Sequence, residues 1–159
     1  MFKVNVIPTG GLRATIYSEI LKIKENNINY SLNIDKKLKT IALIELDERT
    51  IIDICKILGV FIDNAIEEVV KFKKGNISID IYVENSYINI KVSNNYKSKI
   101  EVDKIFESGY TTKGEGHGFG LSMVKKIIDV NNLLKIETEL NQKNFSQILI
   151  IKYKKSNNK

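Results

Sequence analysis

The run most suited to chemistry is Gly114-Glu115-Gly116-His117-Gly118-Phe119-Gly120-Leu121-Ser122. Its glycines alternate with other residues directly ahead of a segment patterned as a helix. Alternating glycine lets backbone amides come close to a phosphate chain and point at it. A helix that starts there adds unpaired N–H groups and a favourable dipole. Two better-known phosphate loops do not fit. A Walker A loop needs Lys and then Ser or Thr after its last glycine, where this chain has Leu121. A dinucleotide loop follows a strand directly, whereas 105–113 is polar and turn-rich. On residue types alone, a mobile glycine loop without a ligand stays open.

The second run is Asp63-Asn64-Ala65-Ile66-Glu67-Glu68. Asp and Asn are poor helix-interior residues, so placing them side by side in a well-patterned helix calls for a reason. The amide oxygen of Asn64 suits a Mg²⁺ ion shared with phosphates. Helical spacing puts Asn64 on one face with Val60, Glu67 and Lys71, and Glu68 is expected to face solvent. An ordinary hydrated helix face is the other reading. It loses weight because the glycine loop lies downstream.

The elements that must hold these runs are legible from periodicity. Apolar residues at helical spacing predict a helix over 12–23 (Leu12, Ile16, Ile20, Ile23), ended by Asn26-Asn27. Alternation predicts a strand over 30–34, and 41–46 reads as a short strand or a loop. The longest helix is expected over 48–70, with Ile51, Cys55, Leu58, Ile62, Ala65, Ile66 and Val69 as its buried stripe. Cys55 belongs to that stripe as a small core residue. Strands over 77–83 and 88–92 form an antiparallel hairpin. The stretch 94–104 is polar and partly helical, and 106–118 is a loop. A helix over 119–130 turns Met123, Val124, Ile127 and Ile128 to the core, and 134–140 with 145–151 makes a last strand pair. This order favours an α+β fold: a two-layer α/β sandwich with a mixed, mostly antiparallel sheet.

Composition narrows the function classes. The chain has 159 residues and a formal charge of +6, with one Cys, one His and one Pro. A lone Cys excludes an intramolecular disulfide and a paired-cysteine metal knuckle, and a lone His excludes a multi-histidine cluster within one chain. No run approaches the about 18 apolar residues of a membrane span. Much of the basicity comes from Lys152, Lys154, Lys155 and Lys159, so 152–159 reads as a disordered basic tail behind a domain over 1–151. Arg13 and Arg49 are the only arginines, which leaves little for base-edge reading, so no nucleic-acid partner is expected.

Taken together, the runs resemble the ATP-binding domain of the superfamily that holds sensor histidine kinases, MutL and type II topoisomerases. Residues 58–67 resemble its N box, 105–114 its F box and ATP lid, and 116–121 its second glycine box. The run from Ile105 through Ile128 resembles most closely the AgrC-like quorum-sensing histidine kinases. The likeness covers nearly the whole chain and implies the Bergerat fold with a flexible ATP lid. It implies ATP and Mg²⁺ as cofactors, with Asn64 holding the metal that bridges the phosphates. Asn64 and Lys113 would be the catalytic pair. Thr112, Lys113, Gly114, Gly116, His117, Gly118, Phe119, Gly120 and Leu121 would line or close over the phosphates, and adenine would sit between helices and sheet beside Asn94.

The chain departs from the pattern in two places. The first glycine box normally carries Asp, with glycines after it. Here the stretch is Val92-Ser93-Asn94-Asn95-Tyr96. An Asn oxygen can still accept from the adenine amino group. The N box has Val60 where many relatives carry Asn, which removes one metal or phosphate contact. No His precedes His117, so the phosphoacceptor would lie on a histidine-containing dimerisation segment outside this chain, ahead of the run Phe2–Ile7. The implied partners are that segment and a downstream response regulator. The implied setting is a cytoplasmic domain of a homodimeric, membrane-anchored parent, with no membrane contact of its own. Two other readings fit the same motifs. One is a stand-alone anti-sigma-like kinase acting on a serine. The other is a non-catalytic interaction domain with a degenerate nucleotide pocket.

Overall fold

The computed structural model describes residues 5, 7, 9–41, 46–97, 99–107 and 119–153, with only the backbone of 39–41. Helix α1 (Gly10–Glu25) starts where the Thr9 hydroxyl accepts the Leu12 N–H at 3.3 Å, and it stops at Asn26 and Asn27. Asn27 adopts a φ of 54°, a conformation that Asn tolerates and that turns the chain out of the helix. Strand β1 (Asn29–Ile34) follows, then a 3-10 turn over Lys36–Ile41. Ile41 is thus helical rather than extended, and 42–45 lie outside the described residues.

Helix α2 (Glu48–Val69) is the longest element. Its buried face is broader than the expected stripe, because Ile54, Ile57 and Phe61 join Leu58, Ile62, Ala65, Ile66 and Val69. Ile51 and Cys55 are only half-buried, at the edge of that face. Cys55 is therefore not a core residue; its sulfur accepts the Thr15 hydroxyl at 3.0 Å across the α1–α2 seam.

Strands β2 (Asn76–Glu84) and β3 (Tyr87–Asn95) form the expected hairpin. Its two turn residues, Asn85 and Ser86, both have positive φ (48° and 66°), which matches the right-handed twist of the strands. The polar stretch after β3 contains a 3-10 turn over Val102–Lys104. Helix α3 (Gly120–Val130), β4 (Leu134–Leu140) and β5 (Asn144–Lys152) complete the domain. On α3, Val124 is fully buried and Ile127 and Ile128 pack on the core, but Met123 is exposed, contrary to expectation. At the C-terminal side, β5 runs one residue past 151 and Tyr153 is buried in the core. Residues 154–159 lie outside the described residues.

The sheet has the order β1-β2-β3-β5-β4. β1 pairs with β2 in parallel, and the other pairs are antiparallel. The fold is the expected α+β sandwich: helices on one face of a mixed five-stranded sheet. Register sorts the helix-facing side chains into rows. One row runs Leu32, Ile79, Val92, Gln147 and Thr138, and its neighbour runs Tyr30, Ile77, Asn94, Phe145 and Leu140. Asn94, Gln147 and Thr138 therefore stand as polar groups among the aliphatic and aromatic side chains of this face.

Candidate functional site

Asn64 lies half-buried on α2, one turn after Val60. Gly120 opens α3 directly against Val60: a Cβ on Gly120 would meet Val60 Cγ1 at 3.0 Å. Glycine is thus what lets the first turn of α3 close on α2, one turn away from Asn64. Phe119 precedes that turn and offers no side-chain cap to its N–H groups. The Ser122 hydroxyl points back and donates to the Phe119 carbonyl at 2.9 Å. Among the described residues, Phe119 gives the first-turn amides no side-chain acceptor at the helix start, which is the arrangement an anion uses.

The neighbours of Asn64 have other duties. Asp63 accepts from Lys22 of α1 at 3.2 Å, and the same ammonium pairs with the buried Glu19 at 2.9 Å. Burial lowers the Lys22 pKa, but the hydrogen bonds to Glu19 and Asp63 outweigh it and hold the ammonium above its ordinary value. Asp63 therefore fastens α1 to α2 and leaves Asn64 as the amide on the open face. Glu68 overturns its expected exposure. It is 6% exposed, accepts the backbone N–H of Lys97 at 2.8 Å and pairs with the Lys71 ammonium. The Lys97 ammonium in turn lies 4.6 Å from the centre of the Phe72 ring.

On the sheet, Asn94 is buried in the helix-facing row. Its Nδ2 donates to the Asn95 carbonyl at 2.7 Å. Only the nitrogen end can make that bond, so Oδ1 is turned out as an acceptor. Asn95 is itself fixed: its Oδ1 accepts the Asn76 N–H at 2.8 Å and its Nδ2 donates to Asn144 at 3.2 Å. Tyr96 adds a hydroxyl bond to the Asn141 carbonyl at 2.8 Å.

Among the expected site residues, the structure sets Gly120, between Phe119 and Leu121, against Val60, one turn before Asn64 on α2, and it sets Asn94 on the sheet face beneath the helices. Thr112, Lys113, Gly114, Gly116, His117 and Gly118 lie outside the described residues. Sequence reasoning missed Gln147, which is 2% exposed and whose Nε2 has no hydrogen-bond partner among the described residues. The available signal was a Gln at a core position of an otherwise apolar alternation, Phe145-Ser146-Gln147-Ile148-Leu149. An adenosine phosphate fits this donor set: an oriented acceptor on Asn94, an unsatisfied donor nearby, and a helix start cleared by glycine. No cluster of three acidic, His or Cys side chains suited to a metal occurs among the described residues, so a cation here would lean on the Asn64 amide and on phosphate oxygens.

Comparison with known proteins decides the family. The model described as "GHKL domain" matches residues 49–152, from the first turn of α2 through the end of β5. The chain belongs to the GHKL family. Sensor histidine kinase FlgS of Helicobacter pylori is 24% identical over 137 residues, covering 80% of this chain and 36% of FlgS. Sensor histidine kinase DcuS of Escherichia coli is 28% identical over 85 residues, covering 52% of this chain and 16% of DcuS. The chain thus spans about a third or less of the curated relatives it matches. The catalytic domain of histidine kinase ThkA superposes with a TM-score of 0.70 at 28% identity, covering 90% of both chains. ThkA in complex with response regulator TrrA gives a TM-score of 0.67 at 26% identity, covering 91% of this chain and 40% of that one. This GHKL chain is therefore a homologue of histidine kinase catalytic domains in both fold and sequence.

Proposed function

We propose that this GHKL domain is the Mg-ATP-binding catalytic domain of an AgrC-like, quorum-sensing sensor histidine kinase. It donates the γ-phosphoryl group of ATP to a histidine on a dimerisation segment of its parent protein. The observation that carries this reading is Gly120 packed on Val60, which sets the uncapped start of α3 beside the helix that bears Asn64. The order of N box, lid and glycine box supports the AgrC-like assignment, with Asn94 in place of Asp.

ATP, when bound, supplies the phosphoryl group, and Mg²⁺ neutralises the charge that develops on it. Everything else falls to the protein, and is positioning and charge neutralisation rather than covalent catalysis. Asn64 holds the metal through its amide oxygen. Backbone N–H groups of Gly120 and Leu121 take phosphate oxygens, Phe119 opens that turn, and Lys113 adds positive charge. Thr112, Gly114, Gly116, His117 and Gly118 close over the phosphates and exclude water. Asn94 accepts from the adenine amino group.

The histidine-bearing segment and a response regulator are the partners; the solved complex of ThkA with TrrA supports the latter. The domain works on the cytoplasmic side of a homodimeric, membrane-anchored parent. Calorimetry of ATP with and without Mg²⁺ tests the reading. Saturable, Mg-dependent binding is expected, followed by transfer to an added histidine segment rather than to a serine-bearing partner. A folded chain that binds no nucleotide would overturn it.

A further inference from the structure

We infer that Gln147 reads the adenine ring beside Asn94, so that this pair sets base specificity; the inference rests on the ATP-binding reading above. Gln147 pairs with Val92 in the β3–β5 register while Asn94 pairs with Phe145. The two polar residues are therefore diagonal neighbours on the helix-facing side, with roots about 7–8 Å apart, close enough to reach one small ring. Asn94 shows an acceptor, because its Nδ2 is held by the Asn95 carbonyl. Gln147 shows a donor, because its Nε2 is buried with no partner.

Adenine carries the complementary edge: a donor at its exocyclic amine and, next to it, an acceptor at N1. Guanine carries the reverse, an acceptor at O6 and a donor at N1. A free Asn amide could rotate to suit either base. The Asn95 carbonyl prevents that rotation, and Asn95 is fixed by Asn76 and Asn144. Thr138, opposite Gln147 on β4, also has a buried hydroxyl without a partner. An unsatisfied donor and hydroxyl side by side in an apolar layer are costly to the empty protein, and a bound base relieves that cost.

The test titrates wild type and Gln147→Met with ATP, with 1-deaza-ATP (N1 replaced by C–H) and with GTP, and follows thermal unfolding of both without nucleotide. Met keeps the length of the side chain and removes its polar end. Wild type should bind ATP about tenfold more tightly than 1-deaza-ATP, and GTP more weakly still. Gln147→Met should bind ATP and 1-deaza-ATP equally, at about the wild-type affinity for the analogue, and should unfold at the same temperature as wild type or higher. Equal binding of ATP and 1-deaza-ATP by wild type would overturn this inference and leave the ATP reading standing. A marked drop in the unfolding temperature of Gln147→Met would make the residue structural and overturn it as well. Failure of the folded wild type to bind any nucleotide would overturn both.

Discussion

The Glu68 carboxylate accepts the backbone N–H of Lys97 at 2.8 Å and so ties the last turn of α2 to the chain leaving β3. Glu68 stands one helical turn beyond Asn64, and Lys97 stands three residues beyond Asn94. A single side chain thereby ties the helix that bears Asn64 to the chain that leaves Asn94.

Glu68→Ala should loosen that tie. It removes the carboxylate that accepts the part-buried Lys97 N–H; Lys97 is itself exposed, so water takes over part of that bond and the cost is about 1 kcal/mol in stability. Nucleotide affinity should fall several-fold even at temperatures where the variant is fully folded. Glu68→Gln keeps an acceptor for Lys97 and gives up the charge that pairs with Lys71, so it should recover most of the affinity. Denaturant unfolding together with nucleotide titration checks both parts. Equal affinities for Glu68→Ala and wild type would show that the tie does not reach the pocket.

Asn64→Ala should leave the fold intact, because Asn64 is half-buried and is not among the buried residues of α2. Mg-dependent ATP binding should be lost, whereas any residual binding without metal should change little. Titration with and without Mg²⁺ reads this directly. An unchanged Mg-dependent affinity would remove Asn64 from the metal site.

Gly120 and Val60 make a paired prediction. A methyl group at Gly120 would stand 3.0 Å from Val60 Cγ1, closer than a relaxed contact. Gly120→Ala should push the start of α3 away from α2, cost about 1–3 kcal/mol and weaken nucleotide binding. Val60→Ala in the same chain opens the space and should restore much of both. Non-additivity in the double-mutant cycle is the signature, since the two residues touch. Additive losses would mean that the contact does not control the helix start.

The layered fold was legible because its signals are local: period-two alternation in the strands, helical spacing in α1 and α2, and a glycine loop before α3. The orientation of polar residues was less legible because it depends on partners far along the chain. Glu68 looks like a surface residue by its charge and by its neighbour Glu67, yet the Lys97 amide, 29 positions on, draws it inward. Met123 fits the α3 pattern and is exposed, since α3 lies at the margin of the helix layer, over β4. Gln147 could be placed only once the β3–β5 register showed it diagonal to Asn94. Asn64 and Gly120 were readable singly, but not the Val60 contact that joins them.

The start of α2 carries the pH prediction. Asp47 caps the helix, accepting the Thr50 N–H and the Thr50 hydroxyl, each at 2.8 Å. The backbone hydrogen bond from Thr50, and then the hydroxyl bond, hold its carboxyl below the ordinary value. A carboxylate whose pKa is depressed in the folded state adds stability that is present above its unfolded value, about 3.9, and is lost as pH falls through the folded value. The wild-type advantage over Asp47→Asn, a neutral residue that still caps, should therefore be level from neutral pH to about 5 and shrink below about 4. The cap reaches further than α2, because Asn131 at the end of α3 donates to Thr50 at 3.3 Å and to Asp53 at 3.0 Å. Acid should thus loosen the far end of α3 along with the start of α2. Unfolding temperatures of the two proteins between pH 3 and 7 settle the matter, and a difference that stays constant to pH 3 would show that the charge of Asp47 adds nothing to the cap.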